Sequence, residues 1–380
     1  MFTALVNARV LGDAGFIDGA VVLLDGARIL DVVALSDPRI NTAQVIDLDG
    51  CLLAPGFIDC QVNGGGGVLF NDAPTVDGII RIAAAHRRFG TTGLLPTLIS
   101  DDARTTRHAI EAVREAIRLR TPGVLGIHLE GPFLAPQRKG IHDANKFRSP
   151  DPADVGMLTV HGAGKVMMTI APERVAPDIL RELAGCGVIL SAGHTAATHA
   201  QTRAALDAGV RGFTHLFNAM SPLQSREPGV VGAALEDRES WCGVIVDGHH
   251  VHAAALRIAL AAKPRGKVFL VTDAMPPVGA DSDRFTLNGE AITCSDGLCT
   301  NAQGVLAGSA LDMASAVRNT VKLIGVAVDE ALRMASTYPA AFLGLSDTHG
   351  RIAPGYMADL VALDADFNVR RTWTSGSADS

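Results

Sequence analysis

The residues in this sequence that could do chemistry sit where apolar runs stop. "GVILSAGHT" delivers His194, "VLGIHLEGP" ends in His128 and Glu130, and "GFTHLFNAM" carries His215. A carboxylate and two imidazoles are the ligand set of a catalytic divalent-metal site, in which three side chains hold the ion and one position stays open. Any one of these histidines alone would read as a hydrogen-bonded core residue; together with Glu130 they read as a site. His128 lies two residues before Glu130, on the same side of an extended chain, and is expected to support the ligand rather than bind. Asp273 ends the very apolar run "KVFLVTDAM". A carboxylate there can take a proton from the attacking water and pass it to a leaving group, although Thr-Asp before Pro276-Pro277 also suits an Asx turn. Two more runs end in polar residues, the first in Gln61 and Asn63 and the seventh in Asp247, Gly248, His249 and His250.

Such residues can meet only if the runs are strands brought to one end of a sheet. Eight apolar runs alternate with Ala-rich amphipathic stretches such as "DGIIRIAAAHRRFG" and "THAQTRAALDAGV". That rhythm predicts repeated βα units and a TIM-like (β/α)8 barrel, whose active sites lie at the C-terminal ends of the strands. A doubly wound sheet is the competing architecture, but no Gly-rich dinucleotide fingerprint follows the first strand. Residues 1–50 and 345–380 are instead short Val-, Ile- and Leu-rich runs broken by Gly-Asp and Asp-Gly pairs, and they are expected to form one small β-sandwich built from both chain termini. The barrel is assigned to residues 51–344. Within it a β-hairpin excursion around 283–306, with turns at Asn288-Gly289 and Asp296-Gly297, is expected to fold over the barrel mouth.

Composition narrows the partners. The net charge is −7, with no block of Lys or Arg, which argues against nucleic acid and anionic membrane surfaces. No apolar run is long enough to span a bilayer and the N-terminus lacks a signal-peptide pattern, so a cytoplasmic location is expected. The 6 cysteines are scattered without a C-x-x-C, and are read as reduced thiols. His86, His108 and His199 are placed in solvent on helices, His161 and His349 in polar loops, and His252 at a helix start.

The motifs "PGFIDCQVNGGGG", "HLEGPF", "SAGHT", "THLFNAM", "DGHHV", "TDAM" and "GRIAPGYMADLV" resemble the amidohydrolase superfamily. Within it the chain is similar to the N-acetylglucosamine-6-phosphate deacetylases, over nearly its whole length. The resemblance implies hydrolysis of the acetamide of that sugar phosphate, in amino-sugar catabolism and cell-wall recycling, with Glu130, His194 and His215 on the metal and Asp273 as acid/base. It also implies that His142 helps polarise the acetyl carbonyl. Substrate contacts follow at Ile141, Asn218, Ala219, Asp247, Gly248, His249 and His250, and along Leu306-Ala307-Gly308. Arg226 would hold the phosphate, reaching a neighbour's site in a homodimer. Many superfamily members carry His-x-His after the first strand and bind a second metal there. Gln61 and Asn63 take those positions here, and neutral amides are weak ligands. One ion per subunit is therefore expected, Zn by preference, with Fe, Mn or Co as alternatives. N-acetylgalactosamine 6-phosphate, an N-acyl amino acid or a cyclic amide remain as other substrates, and a non-catalytic scaffold as the other class.

Overall fold

The computed structural model describes residues 2–159, 162–295 and 297–378. Its centre is a parallel sheet of eight strands: β1 (Phe57–Val62), β2 (Thr91–Ile99), β3 (Gly126–Glu130), β4 (Lys165–Ile170), β5 (Ile189–Ala192), β6 (Gly212–Phe213), β7 (Trp241–Val244) and β8 (Val268–Leu270). Each pairs with the strand before it in sequence, and a parallel bridge between Val62 and Ala274 closes the ring. The architecture is a TIM-like barrel. Its strands are nearly all buried on both faces, which is why they read as continuous rather than alternating apolar runs.

A helix follows every strand: α1 (Val76–Arg87), α2 (Ala103–Arg118), α3 (Pro152–Leu158), α4 (Pro177–Gly185), α5 (His199–Asp207), α6 (Gly229–Glu236), α7 (Ala253–Ala262) and α8 (Met313–Asn319). Their starts are set by local chemistry. Thr75 and Asp102 cap α1 and α2 by accepting the Gly78 and Thr105 N–H, and Thr198 forms a capping box with Gln201 on α5. His252 caps α7, as expected.

The helix histidines divide. His108 is exposed and His199 is half-buried against Glu236, but His86 is buried, with Nε2 2.9 Å from the Gly64 carbonyl. The expectation that His86 is solvated is overturned, because it lies on the stripe Ile79, Ile82, Ala83, His86 that α1 turns toward the barrel. His349 lies in a loop, as expected, half-buried with its ring 2.8 Å from Thr348 Oγ1 and 3.6 Å from the Asp359 carboxylate. His161 lies outside the described residues.

Both ends of the chain build a second unit. One sheet contains Thr3–Val6, Ala20–Asp25, Arg28–Ala34 and Gln44–Asp47; the other orders Ser377–Ala378, Val369–Thr374, Leu360–Leu363, Leu52–Pro55, Arg9–Gly12 and Gly15–Ile17. Segment 52–55 is the link, parallel to 9–12 and antiparallel to 360–363. Leu5, Val22 and Leu24 from one sheet pack on Val10, Leu53, Leu360 and Trp373 from the other, giving a sandwich core separate from the barrel's.

After β8 the chain makes a four-stranded antiparallel meander: Arg284–Leu287, Glu290–Ser295, Leu298–Thr300 and Leu306–Ser309. Asn288 (φ 51°) and Gly289 (φ 80°) take the left-handed conformations of a two-residue hairpin turn. Asp296 of the second expected turn lies outside the described residues, and Gly297 has φ 84°. Cys294 and Cys299 are directly opposed across that hairpin and form a disulfide. The reading of all cysteines as reduced thiols is corrected for this pair. Cys60 and Cys242 are free and buried.

Candidate active site

At the C-terminal mouth of the barrel the ends of β3, β5 and β6 deliver the expected ligand set. His215 Nε2 lies 3.0 Å from Glu130 Oε1, His194 Nε2 lies 3.2 Å from the same oxygen, and the two nitrogens are 3.1 Å apart. Among the described residues this is the cluster of three His, Cys, Asp or Glu groups able to hold a metal. His194 Nδ1 sits 2.8 Å from the Arg138 carbonyl. A carbonyl only accepts, so Nδ1 carries a proton and Nε2 is the ring nitrogen left to face Glu130. Two imidazole nitrogens and a carboxylate oxygen converging this closely call for positive charge between them, and the O, N, N donor set suits a divalent ion. The residues fit a metal.

The electrostatics agree. Burial alone would raise the Glu130 carboxyl, but the adjoining His194 and His215 hold it well below the ordinary range. Burial pulls His215 down, and its bond to Glu130 more than offsets that, leaving it raised. Asp273 is pushed up to about 6, first by burial and then by the Glu130 charge.

Asp273 is tied on one side only. Its Oδ1 accepts the Gln61 amide at 3.0 Å and the Asn63 amide at 2.6 Å, and Gln61 Nε2 also donates to Glu130 Oε1 at 3.0 Å. Gln61 therefore bridges the two carboxylates as a hydrogen-bond donor, and Asn63 donates to Asp273. His128 has both ring nitrogens engaged elsewhere, at 3.1 Å from Thr97 Oγ1 and 2.8 Å from Thr169 Oγ1. It belongs to a belt of hydroxyls that continues through Thr214 to Ser191, one layer beneath the ligands.

The backbone around these groups is unusual. His194 (φ 47°), His215 (φ 35°), Ala219 (φ 52°) and Asp273 (φ 53°) are all left-handed without being glycine. Such conformations persist only where the surroundings over-determine them, and they gather at working sites.

A cavity of about 240 Å³ opens onto the cluster, with Glu130, His194, His215 and Asp273 in its wall. His142 lines it too, with Nδ1 2.9 Å from Ser100 Oγ and Nε2 3.7 Å from Glu130 Oε2; burial and then the His194 charge push it down to about 3. Asn218, Ala219 and His250 form a further side, and Ile141, Leu306 and Gly308 an apolar one. Asp247 stands behind His250, 2.5 Å from its Nδ1, which turns the other ring nitrogen outward. Some expected contacts lie elsewhere. Ala307 is buried away from the wall, while Gly248, His249 and Arg226 are exposed and do not line the cavity of this chain. Ser100, the Arg138 carbonyl and the threonine belt support the site without having been anticipated. A Ser or Thr in a strand carries no spacing signal that distinguishes it from an ordinary β-former.

Known proteins are similar to this chain in sequence and fold. Residues 52–378 match the amidohydrolase family. An N-acetylgalactosamine-6-phosphate deacetylase of Shewanella sp. (strain ANA-3) is 42% identical over 324 residues, 85% of this chain and 82% of that one. An N-acetylglucosamine-6-phosphate deacetylase of Haemophilus influenzae is 33% identical over 376 residues, 98% of each chain. The crystal structure of N-acetylglucosamine-6-phosphate deacetylase from Pasteurella multocida superposes with a TM-score of 0.96 at 35% identity, covering 100% of both chains.

Proposed function

The chain belongs to the amidohydrolase family, and from that premise we propose that it hydrolyses the acetamide of N-acetylglucosamine 6-phosphate to glucosamine 6-phosphate and acetate. The observation that carries this reading is the meeting of Glu130, His194 and His215 within 3.0–3.2 Å at the barrel mouth beside Asp273.

Glu130, His194 and His215 would hold one divalent ion, Zn by preference, with Fe, Mn or Co as alternatives. When bound, that ion supplies Lewis acidity, which polarises an amide carbonyl and acidifies water. Asp273 does the proton work. Its Oδ1 is occupied by the Gln61 and Asn63 amides, so Oδ2 accepts a proton from the attacking water and returns it to the departing amine. A carboxyl raised to about 6 is better matched to both halves of that task at neutral pH than an ordinary aspartate. His142 stands beside Glu130 and offers a ring N–H to the developing oxyanion, a contribution of about 3–4 kcal/mol for one such donor. Asn218 and Ala219 would hold the sugar through the backbone, and His250, aimed by Asp247, its phosphate. Arg226 is exposed on this chain, which supports its serving the site of a second copy in a homodimer. A cytoplasmic place in amino-sugar catabolism and cell-wall recycling goes with this reading, as does division into a barrel and a sandwich built from both ends of the chain, with 52–55 counted to the sandwich.

A second reading is specific: the 4-epimer, N-acetylgalactosamine 6-phosphate, favoured by the 42% identity to a deacetylase of that sugar. Acetate release from the two sugar phosphates, assayed side by side on metal-loaded protein, decides between them. Release from neither would sink the deacetylase reading.

A further inference from the structure

The seam where β8 meets β1 is fastened by a side chain that the chemistry above does not use. Asp59 of β1 is fully buried. Its Oδ2 accepts the Thr272 hydroxyl at 2.5 Å, and its Oδ1 accepts the N–H groups of Gln61 at 3.1 Å and Thr272 at 3.3 Å. Thr272 Oγ1 in turn accepts the Ala274 N–H at 3.2 Å, and Ser309 Oγ donates to the Thr272 carbonyl at 2.6 Å. One chain neighbour of Asp273 is this threonine, the other is tied to it through the Ala274 N–H, and the threonine is tied in turn to one carboxylate. The backbone is paired here as well: besides the Val62–Ala274 bridge, the Asp273 N–H donates to the Gln61 carbonyl at 3.0 Å, the Asn63 and Gly64 N–H groups donate to the Ala274 carbonyl at 2.9 and 3.0 Å, and the Asp273 carbonyl accepts the Ser309 N–H at 3.0 Å, yet none of these bonds restrains the Thr272 side chain. Between these anchors Asp273 holds φ 53°, a conformation an aspartate keeps only under constraint.

We propose that Asp59, acting through Thr272, is a positioning residue that fixes the left-handed backbone of Asp273 and so the aim of its carboxylate at the reacting water. A buried carboxylate is costly, and apolar side chains could close a barrel seam without it. What such a pair could not do is accept three hydrogen bonds around the one residue that must stay strained. The inference rests on the deacetylase reading.

Thr272→Val in the metal-loaded enzyme removes the hydroxyl at nearly constant shape. Misplacing a reacting group by even an ångström costs about 10²-fold, so kcat should fall on that order while KM stays within about twofold. Metal content should not change, and Thr272→Ser should restore most of the rate. Asp59→Leu keeps the branched shape but accepts none of the three hydrogen bonds. It should lower kcat at unchanged KM, and it carries the test if Thr272→Val does not fold. Wild-type kcat in either folded variant overturns the role, as does a loss confined to KM or a Thr272→Ser enzyme as slow as Thr272→Val. Wild-type protein that releases no acetate from either sugar phosphate overturns the deacetylase reading and this one together. Wild-type turnover with unaffected variants overturns this one alone.

Discussion

At the scale of single residues, the site divides its labour by what each polar atom is already bonded to. Asp273 has one oxygen held by two amides and stands in the cavity wall. Asp273→Asn should therefore lower kcat by about 10²–10⁴-fold, the usual worth of general acid–base catalysis, while metal content and substrate binding persist. Acetate release and metal analysis on the same preparation check it, and near-normal turnover would remove Asp273 from the role. Arg226 invites a different comparison. Arg226→Ala should cut kcat/KM for the phosphorylated sugar far more than for the plain N-acetyl sugar, because a guanidinium binds phosphate bidentately. Equal losses would free Arg226 of that duty. Glu130, His194, His215 and Asp273 were legible in the sequence because each closes an apolar run, and a parallel barrel leaves such ends nowhere else to point. His86 was legible too, at i+7 from Ile79 on the apolar stripe, but its polarity outweighed its position. The belt of Thr97, Thr169, Thr214 and Ser191 was not, since threonine in a strand needs no further reason to be there.

At the scale of elements, the eight runs became eight strands, but not of equal length. β6 keeps only Gly212–Phe213, because "THLFNAM" turns left-handed at His215, Phe217 and Ala219 and cannot continue a ladder. Periodicity shows a run; it does not show where backbone strain will cut it short. The Cys294–Cys299 pairing was within reach, since the hairpin turn expected from Asp-Gly in the sequence would set those positions opposite each other, as the observed register does. The α5–α6 connection supplies a test of stability. Burial would raise Asp237, which ends α6, but the Ser240 bonds and then the Arg203 guanidinium hold it at about 2, below its ordinary 3.8. A lowered folded-state pKa means that its stabilisation is complete above the unfolded value and drains away as pH falls from 3.8 toward 2. Urea midpoints of wild type and Asp237→Asn should differ at pH 7 and draw together only as the pH falls toward about 2. A gap independent of pH would contradict the assignment.

At the scale of the whole molecule, the barrel is a device for bringing together groups as far apart in sequence as Gln61 and Asp273, whose side chains meet at 3.0 Å. Metal analysis of the purified chain should give about one ion, and two tightly held ions would contradict the placement of the Gln61 and Asn63 amides. Chelation should lower the melting temperature as well as activity, because a ligand that binds only the folded state at a hundred times its Kd adds about 2.7 kcal/mol. A melting temperature indifferent to chelator would place the ion elsewhere. The sandwich carries a consequence for how the polypeptide comes into being. Segment 52–55 needs 9–12 on one flank and 360–363 on the other. A nascent chain makes its first strands early and must keep one flank of 52–55 uncovered until almost everything else has left the ribosome. Vulnerability to self-association during synthesis therefore concentrates at the amino end, and a helper that shields that open flank would raise the yield of finished protein more than one attending to the barrel.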